Sequence, residues 1–208
     1  RQQLTRERDQ IVAERSAIKN QLHAETIQAK PNTNSVRRLK ERIAFLNRQE
    51  KEIKGEIDVI IDNNEDVKKE IKNIISIPGI GKLTAVIVLA ETNGFELIRN
   101  KKQLTSYAGL DVKEKQSGTS VRGKPRISKK GNRSLRKAMY LPSLSAVKYD
   151  ENFKGQYVRI VSKHGIKKKG LIAVQRKMLE LIYTLFKNKT VYDKNYESKK
   201  SSAKILVA

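Results

Sequence analysis

Twelve positions spaced at alternating steps of three and four run from Val36 through Leu39, Ile43, Leu46, Glu50, Ile53, Ile57, Ile60, Asn64, Val67 and Ile71 to Ile74, and all but Glu50 and Asn64 are apolar. A stripe of this period predicts a long coiled-coil helix whose seam must be covered by another helix. A buried Asn in such a seam fixes register and oligomer state at some cost in stability. Asn64 in that place therefore favours a homo-oligomer, a dimer or higher, assembled through the coiled coil. The alternative is an intramolecular hairpin. Residues 1–24 are helix-forming, with Leu4, Ile11 and Ile18 seven apart, and they can fold back as the partner. Between the two helices, Lys30–Ser35 reads KPNTNS; Pro31 breaks the helix, and Asn34 or Ser35 is the expected cap of the next one.

Charge divides the chain in the same place as the heptads do. Of 45 Lys and Arg against 22 Asp and Glu, residues 1–75 hold 16 and 13, and residues 76–208 hold 29 and 9, so the net charges are +3 and +20. A surface of that kind suits a polyanion, because each cation that neutralises a phosphate releases counterions. Its densest part is Gln116–Arg136, QSGTSVRGKPRISKKGNRSLR, where seven Lys or Arg follow a Ser- and Gly-bearing loop with no acidic residue among them. With no cysteine, disulfides and thiolate metal sites are excluded. His23 and His164 stand far apart without a ligand set around them, so no metal is expected on this chain. No apolar run is long enough to span a bilayer, and no secretory signal opens the chain. A cytoplasmic, nucleoid-associated protein with no membrane partner is expected. The first residue is Arg1 inside a helix-like pattern, and an upstream portion is expected to precede it.

Past the heptads, Ser76–Lys82 reads SIPGIGK and leads into the apolar run Leu83–Glu91. Helix, short Gly-containing turn and second helix resemble a helix-hairpin-helix module. In that module Gly79, Gly81 and Lys82 would approach a phosphate, with the next helix aiming its free N–H groups at the anion. Asn93-Gly94 ends that helix. A short helix is expected over Lys101–Tyr107, and a loop or hairpin with at most short strands over Asp111–Lys130. Asn132 is a cap for the following helix, whose Leu135, Met139 and Leu141 are expected to face inward while Pro142 kinks or splits it. Two more helices fit residues 152–163 and 170–187, the last presenting Leu171, Val174, Met178, Leu181, Ile182, Leu185 and Phe186. The fold expected is mostly α. Long coiled-coil helices over 1–75 are followed by a compact helical domain over 76–190, with the helix-hairpin-helix and the basic Gly/Ser loop or hairpin, and by a disordered basic tail over 191–208.

Four pieces taken in order, IPGIGKLTA at 77–85, LTSYAGL at 104–110, QSGTS at 116–120 and ISKKGNRSLR at 127–136, carry a resemblance. Residues 76 to about 185 resemble the C-terminal transposase domain of insertion-sequence transposases related to the Piv DNA invertases, the group that includes the bridge-RNA-guided recombinases. The coiled coil resembles the linker that joins this domain to an N-terminal RuvC-like domain with four acidic metal ligands. The resemblance implies a DNA recombinase. Ser117, the serine before the glycine of the loop motif, would be the nucleophile that forms a phosphoserine link to DNA; Mg2+ would be held by the RuvC-like domain, and this fragment alone would be inactive. Free serine is a poor nucleophile. Arg122, Lys124, Arg126, Lys129 and Arg136 are candidates to stabilise charge on the phosphoryl oxygens, and Lys130 and Asn132 complete the expected phosphate-binding set. Thr119 stands where family members carry a second glycine, which keeps Ser120 as the alternative nucleophile. A noncoding guide RNA is implied as a second partner beside DNA. The competing reading is a non-catalytic helix-hairpin-helix module that binds DNA or RNA.

Overall fold

The first two helices, α1 (Gln2–Thr26) and α2 (Thr33–Asp62), pack against each other as an antiparallel hairpin. The computed structural model describes residues 2–113, 116–117, 121–122 and 126–196. It divides into two compact units, Arg1–Lys68 and Lys69–Ala208. In the first unit, Ile11 and Ile18 of α1 are buried with Leu46, Ile53, Ile57 and Ile61 of α2. Each such burial is worth about 1.5–3 kcal/mol. The α2 heptads thus find a partner within the same chain, the hairpin arrangement that the sequence left open.

Glu50 lies in the middle of that seam, only 6% exposed. A buried carboxylate is tolerated only when its lone pairs are filled by cations. Two of those cations come from α1: Arg8 donates from Nε and Nη2 to Oε1 at 3.1 and 2.9 Å, and Arg15 donates to Oε2 and, at 2.8 Å, to Asn47. Lys54, one turn along α2, lies 3.0 Å from Oε1. Burial alone would raise the carboxyl pKa, but the hydrogen bonds from Lys54 and Arg15 and the charge of Arg8 outweigh it and lower the value to about 2. The polar interruption of the stripe is therefore the point at which the two helices are registered.

Two expectations for this unit are corrected. The cap of α2 is Asn32, whose side chain accepts from the Ser35 amide at 3.0 Å; Asn34 and Ser35 lie within the first turn. The reason is reach, since a capping oxygen takes the amide two or three residues ahead of it. Nor does the helix run unbroken to residue 75. α2 ends at Asp62, Asn63 caps its end, and Asn64 starts a separate helix, α3 (Glu65–Ile75), by accepting from the Val67 amide at 3.1 Å. Asn64 is exposed and is not a buried seam residue. An Asn side chain competes with the helical backbone for its own neighbours, and Glu65 and Asp66 in the next turn complement a new helix N-terminus. The expected seam slips by one residue before the break, where Ile61 is buried and Ile60 only half-buried, and past the break the expected Val67, Ile71 and Ile74 are buried.

The second unit is built around α4 (Lys82–Glu91), buried at every position from Ala85 to Glu91. A helix apolar on all sides belongs at the centre of a core. It ends in a Schellman arrangement: the Asn93 and Gly94 amides reach back to Ala90 and Leu89 at 3.4 and 2.8 Å, with φ of 48° and 63°. Phe95 follows, fully buried edge-on against Tyr183 at 5.4 Å. Of the helices that follow, α5 (Lys101–Tyr107), α6 (Arg133–Ala138), α7 (Tyr140–Tyr149), α8 (Glu151–His164) and α9 (Lys167–Asn188), α6 packs on α4, and α9 packs on α5, α7 and α8. The expected apolar face of α9 is present, with Val174, Met178 and Ile182 at 0% exposure; Leu179, not expected on it, is buried as well, and Leu181 and Phe186 are half-buried.

Of the two outcomes expected at Pro142, a kink or a split, the helix is split. The chain breaks at Met139, and Pro142 falls in the first turn of α7, where its missing N–H costs nothing. The break also changes the phase of the inward face. Pro142, Ser143 and Ala146 are buried on α7, while Leu141, expected inside, is 71% exposed. Residues 191–196, expected within a disordered tail, are held in place. The Tyr192 amide donates to Ser76 Oγ at 2.8 Å, its hydroxyl donates to Asp150 Oδ2 at 3.0 Å, and its ring stacks on Phe153. Burial and the neighbouring Asp150 push the Tyr192 hydroxyl pKa up. The rest of the expected tail, 197–208, lies outside the described residues.

Candidate nucleic-acid interface

The segment between α5 and α6 is a two-stranded hairpin in which four strands of two residues form two ladders. β1 (Val112–Lys113) pairs with β4 (Arg126–Ile127), and β2 (Gln116–Ser117) pairs with β3 (Val121–Arg122), both antiparallel. Val112 faces Ile127 and Lys113 faces Arg126; further out, Gln116 faces Arg122 and Ser117 faces Val121. The register shifts by one residue between the ladders. Ser117 is thereby the last paired residue of the outgoing arm, and Gly118, Thr119 and Ser120 connect it to Val121. Lys113 opposite Arg126 puts two exposed like charges on neighbouring strands, a pairing that costs stability unless an anion lies nearby.

The hairpin is rooted in a clamp between the end of α5 and the start of α6. The Lys129 amide donates to Gly109 O at 3.1 Å, the Asn132 amide to Tyr107 O at 2.8 Å, and the Ser128 amide to Asp111 O at 2.9 Å. Ser128 Oγ donates to Asp111 Oδ1 at 2.5 Å. Two glycines permit this approach. A Cβ on Gly131 would meet Tyr107 O at 2.3 Å and Gly109 N at 2.8 Å, and one on Gly109, whose φ is +65°, would meet Arg136 Nη1 at 2.7 Å. The LTSYAGL and KKGN motifs are thus two halves of one backbone contact.

Asn132 ties the clamp to the core. Its Oδ1 caps α6 by accepting from Leu135 N at 2.9 Å, and its Nδ2 donates to Glu91 Oε2 at 2.7 Å. Glu91, 3% exposed, ends α4, and its carbonyl accepts from the Tyr107 hydroxyl at 2.8 Å. Sequence reasoning missed Glu91 and Tyr107. The signal was a single carboxylate closing the run LTAVIVLAE, where a helix C-terminus disfavours negative charge and only a specific donor retains it.

The expected site residues fall into groups. Arg126, Lys129 and Lys130 are exposed at the hairpin base, with Lys129 at φ 53°. Arg136 is turned inward, donating from Nη1 to Ala108 O at 2.7 Å, and Asn132 is the cap and core tie. Of Ser117 and Arg122 the structure describes the backbone, in β2 and β3; Ser120 and Lys124 lie outside the described residues. Gly79, Gly81 and Lys82 sit on the turn before α4. Gly79 (φ +90°) backs onto α7, where a Cβ would meet Pro142 O at 2.5 Å, so packing already requires it to be glycine. Gly81 is the exposed N-cap of α4 with open space around it, and Lys82 is the exposed first residue of that helix. Among the described residues no three His, Asp or Glu side chains gather as metal ligands. None of the helices among the described residues is long and apolar enough to cross a membrane.

The clamp, the hairpin and α3 to α8 lie in one stretch of sequence, and that stretch has relatives. Residues 71–158 match the family described as Transposase IS116/IS110/IS902 family. The pilin gene-inverting protein of Moraxella bovis is 32% identical over 123 residues, 58% of this chain and 38% of that protein. The insertion element IS110 43.6 kDa protein of Streptomyces coelicolor is 28% identical over 120 residues, 58% of this chain and 29% of that protein. The insertion element IS900 42 kDa protein of Mycobacterium paratuberculosis is 24% identical over 139 residues, 66% of this chain and 35% of that protein. The chain thus matches less than two-fifths of the length of each of these relatives.

Proposed function

We propose that this chain is the coiled-coil and DNA-joining part of a DNA transposase or site-specific recombinase, with the hairpin as the element that meets the scissile phosphate. The observation that carries this reading is the position of Ser117. It is paired on the outgoing arm of a hairpin whose strands carry Lys113, Arg122 and Arg126, with Glu114 the one acidic residue in the sequence between Lys113 and Arg126, above a clamp tied to the core. In the reaction the Ser117 hydroxyl oxygen attacks phosphorus, and the bond from phosphorus to a deoxyribose oxygen breaks. The serine proton leaves to a base and the departing sugar oxygen takes one up. The phosphoserine link keeps the energy of the broken ester, so that a second sugar hydroxyl can reverse the attack without a nucleotide cofactor. Arg122, Arg126 and Lys129 stabilise the added charge on the phosphoryl oxygens, and Ser120 is the alternative nucleophile.

A RuvC-like domain elsewhere in the whole protein would supply the acidic ligands of Mg2+; among the described residues of this chain no three His, Asp or Glu side chains gather to hold it. A noncoding guide RNA and self-association through the helical hairpin are further parts of the same proposal. The test is a nicked duplex that traps a covalent protein–DNA adduct with the whole transposase. Ser117→Ala should abolish the adduct and Ser117→Cys should yield one of different stability to nucleophiles, whereas an undiminished adduct in Ser117→Ala would remove the assignment. A second reading, a module that binds nucleic acid without chemistry, is favoured by the exposed Gly81 start of α4, which has no side-chain cap. It predicts salt-dependent binding and no adduct from either serine.

A further inference from the structure

Gln116–Arg136 is not the only acid-free stretch of the second unit. From residue 152 to 179 there are eight Lys or Arg and no Asp or Glu. Three of the eight are engaged: Lys154 with Glu151 at 3.5 Å, Arg176 with Glu180 at 2.9 Å, and Lys177 with neighbours of its own. The other five, Arg159, Lys163, Lys167, Lys168 and Lys169, are exposed and make no ion pair among the described residues. Four of them, Lys163 and Lys167–Lys169, flank the turn between α8 and α9, and Arg159 stands one helical turn before Lys163 on α8.

That turn has a fixed geometry. Gly165, at φ 67°, closes α8 through its amide to Val161 O at 2.7 Å. Gly170 lets α9 lie directly on α8, since a Cβ there would meet Val161 Cγ2 at 2.8 Å and Tyr157 Cδ2 at 2.9 Å. Lys163, in the last turn of α8, is therefore followed across a fixed turn by three consecutive lysines, with Arg159 one helical turn before it. Those lysines occupy the first turn of α9, which has no acidic residue and no side-chain cap. Positive charge at a helix N-terminus is repelled by the helix dipole, so folding alone would not select them. Between Arg159 and Gln175 there is no Phe, Tyr or Trp, and the nearest ring, Tyr157, is half-buried where α8 meets Gly170, so the turn itself carries no aromatic residue on which unpaired bases could stack.

We infer that the α8–α9 turn is a second nucleic-acid surface, separate in sequence from the hairpin, which grips the phosphate backbone of duplex DNA through Arg159, Lys163 and Lys167–Lys169. This inference rests on the proposal that the chain acts on DNA. The two surfaces give the unit one grip beside the reacting phosphate and another on flanking duplex.

The test is fluorescence-anisotropy titration of this chain against a duplex DNA of about two helical turns at several salt concentrations. Lys167, Lys168 and Lys169 are replaced together by Ala. Alanine is the better helix former and relieves the dipole repulsion, so the melting temperature should hold or rise while affinity falls between about tenfold and a hundredfold. The slope of log affinity against log salt should flatten by about 2–3, near 0.9 for each phosphate that is no longer neutralised. Unchanged affinity and slope would overturn the inference, as would a loss confined to duplex RNA or to single strands. A parallel Arg126/Lys129/Lys130→Ala protein separates this inference from the hairpin reading. If it binds normally while the turn variant does not, the hairpin reading falls and the turn stands; the reverse result removes the turn. A wild-type chain with no salt-dependent duplex binding would overturn both.

Discussion

Gly131→Ala tests whether the clamp under the hairpin is a structural device. The added methyl carbon would lie 2.3 Å from Tyr107 O, 2.8 Å from Gly109 N and 3.0 Å from Ser106 O, all of them backbone atoms without freedom to rotate away. Relief requires the α5 end and the KKGN segment to part by about an ångström, which breaks the Asn132 to Tyr107 and Lys129 to Gly109 bonds of 2.8 and 3.1 Å and strains the 2.7 Å bond to Glu91. Two neutral hydrogen bonds at about 1 kcal/mol each, and one to a carboxylate at about 1.5–3 kcal/mol, give a destabilisation of about 3.5–5 kcal/mol. Denaturant unfolding followed by far-ultraviolet circular dichroism measures it, with Gly155→Ala as control. Gly155 lies in α8 with nothing within 4 Å of a Cβ, and alanine there should stabilise by about 0.5–1 kcal/mol. A Gly131→Ala protein within about 0.5 kcal/mol of wild type would refute the clamp argument, since that is the ordinary range of substitutions that break nothing.

Other perturbations have equally definite signs. Glu50, whose carboxyl is lowered from 4.5 to about 2 in the folded chain, contributes stability that is complete above pH 4.5 and disappears as pH falls through 2. The full effect is on the order of 3 kcal/mol, and Glu50→Gln should flatten the pH dependence of α1–α2 unfolding across that window. An unaltered profile would show that Arg8 and Arg15 do not hold it. Asn64→Ala removes the cap of α3 and should cost about 1 kcal/mol, read as faster hydrogen exchange at Val67 and Lys68; Asn64→Leu should not restore it, as it would at a buried seam position. Asn132→Ala loses both the α6 cap and the donor to Glu91 and should cost about 2–4 kcal/mol, whereas Asn132→Asp keeps the cap, loses the donor and sets a second carboxylate against Glu91.

Local rules made much of this fold legible. The period of the α2 stripe, the Asn93-Gly94 stop, the Asn132 cap and the apolar face of α9 each follow from a residue and its near neighbours, and each is present in the structure. The errors came where a residue type has two uses that sequence alone does not separate. Asn64 matched a seam position and also a helix cap, and the acidic pair behind it was the signal that favoured the cap. Pro142 can kink a helix or begin one, and the choice decided which way Leu141 points. The Glu50 network needed two cations from 35 and 42 residues away, and a heptad pattern carries no information about such distances.

The site was legible in a different sense. The motifs that carry the family resemblance are conspicuous because of glycines, and the structure gives those glycines mechanical reasons. Gly79 lies against the backbone of α7, and Gly109 and Gly131 lie in the clamp. Asn132, expected on the phosphate, is occupied by the α6 cap and Glu91, and Arg136 by Ala108 O. What the clamp leaves unoccupied is the exposed cations at the hairpin base, Arg126, Lys129 and Lys130. The motif residues therefore divide by role. Those that hold the hairpin in place should yield stability phenotypes that no DNA rescues, whereas the exposed cations should yield binding phenotypes in a protein of unchanged stability. A protein in which Asn132→Ala or Gly131→Ala lost DNA binding without losing stability would contradict that division.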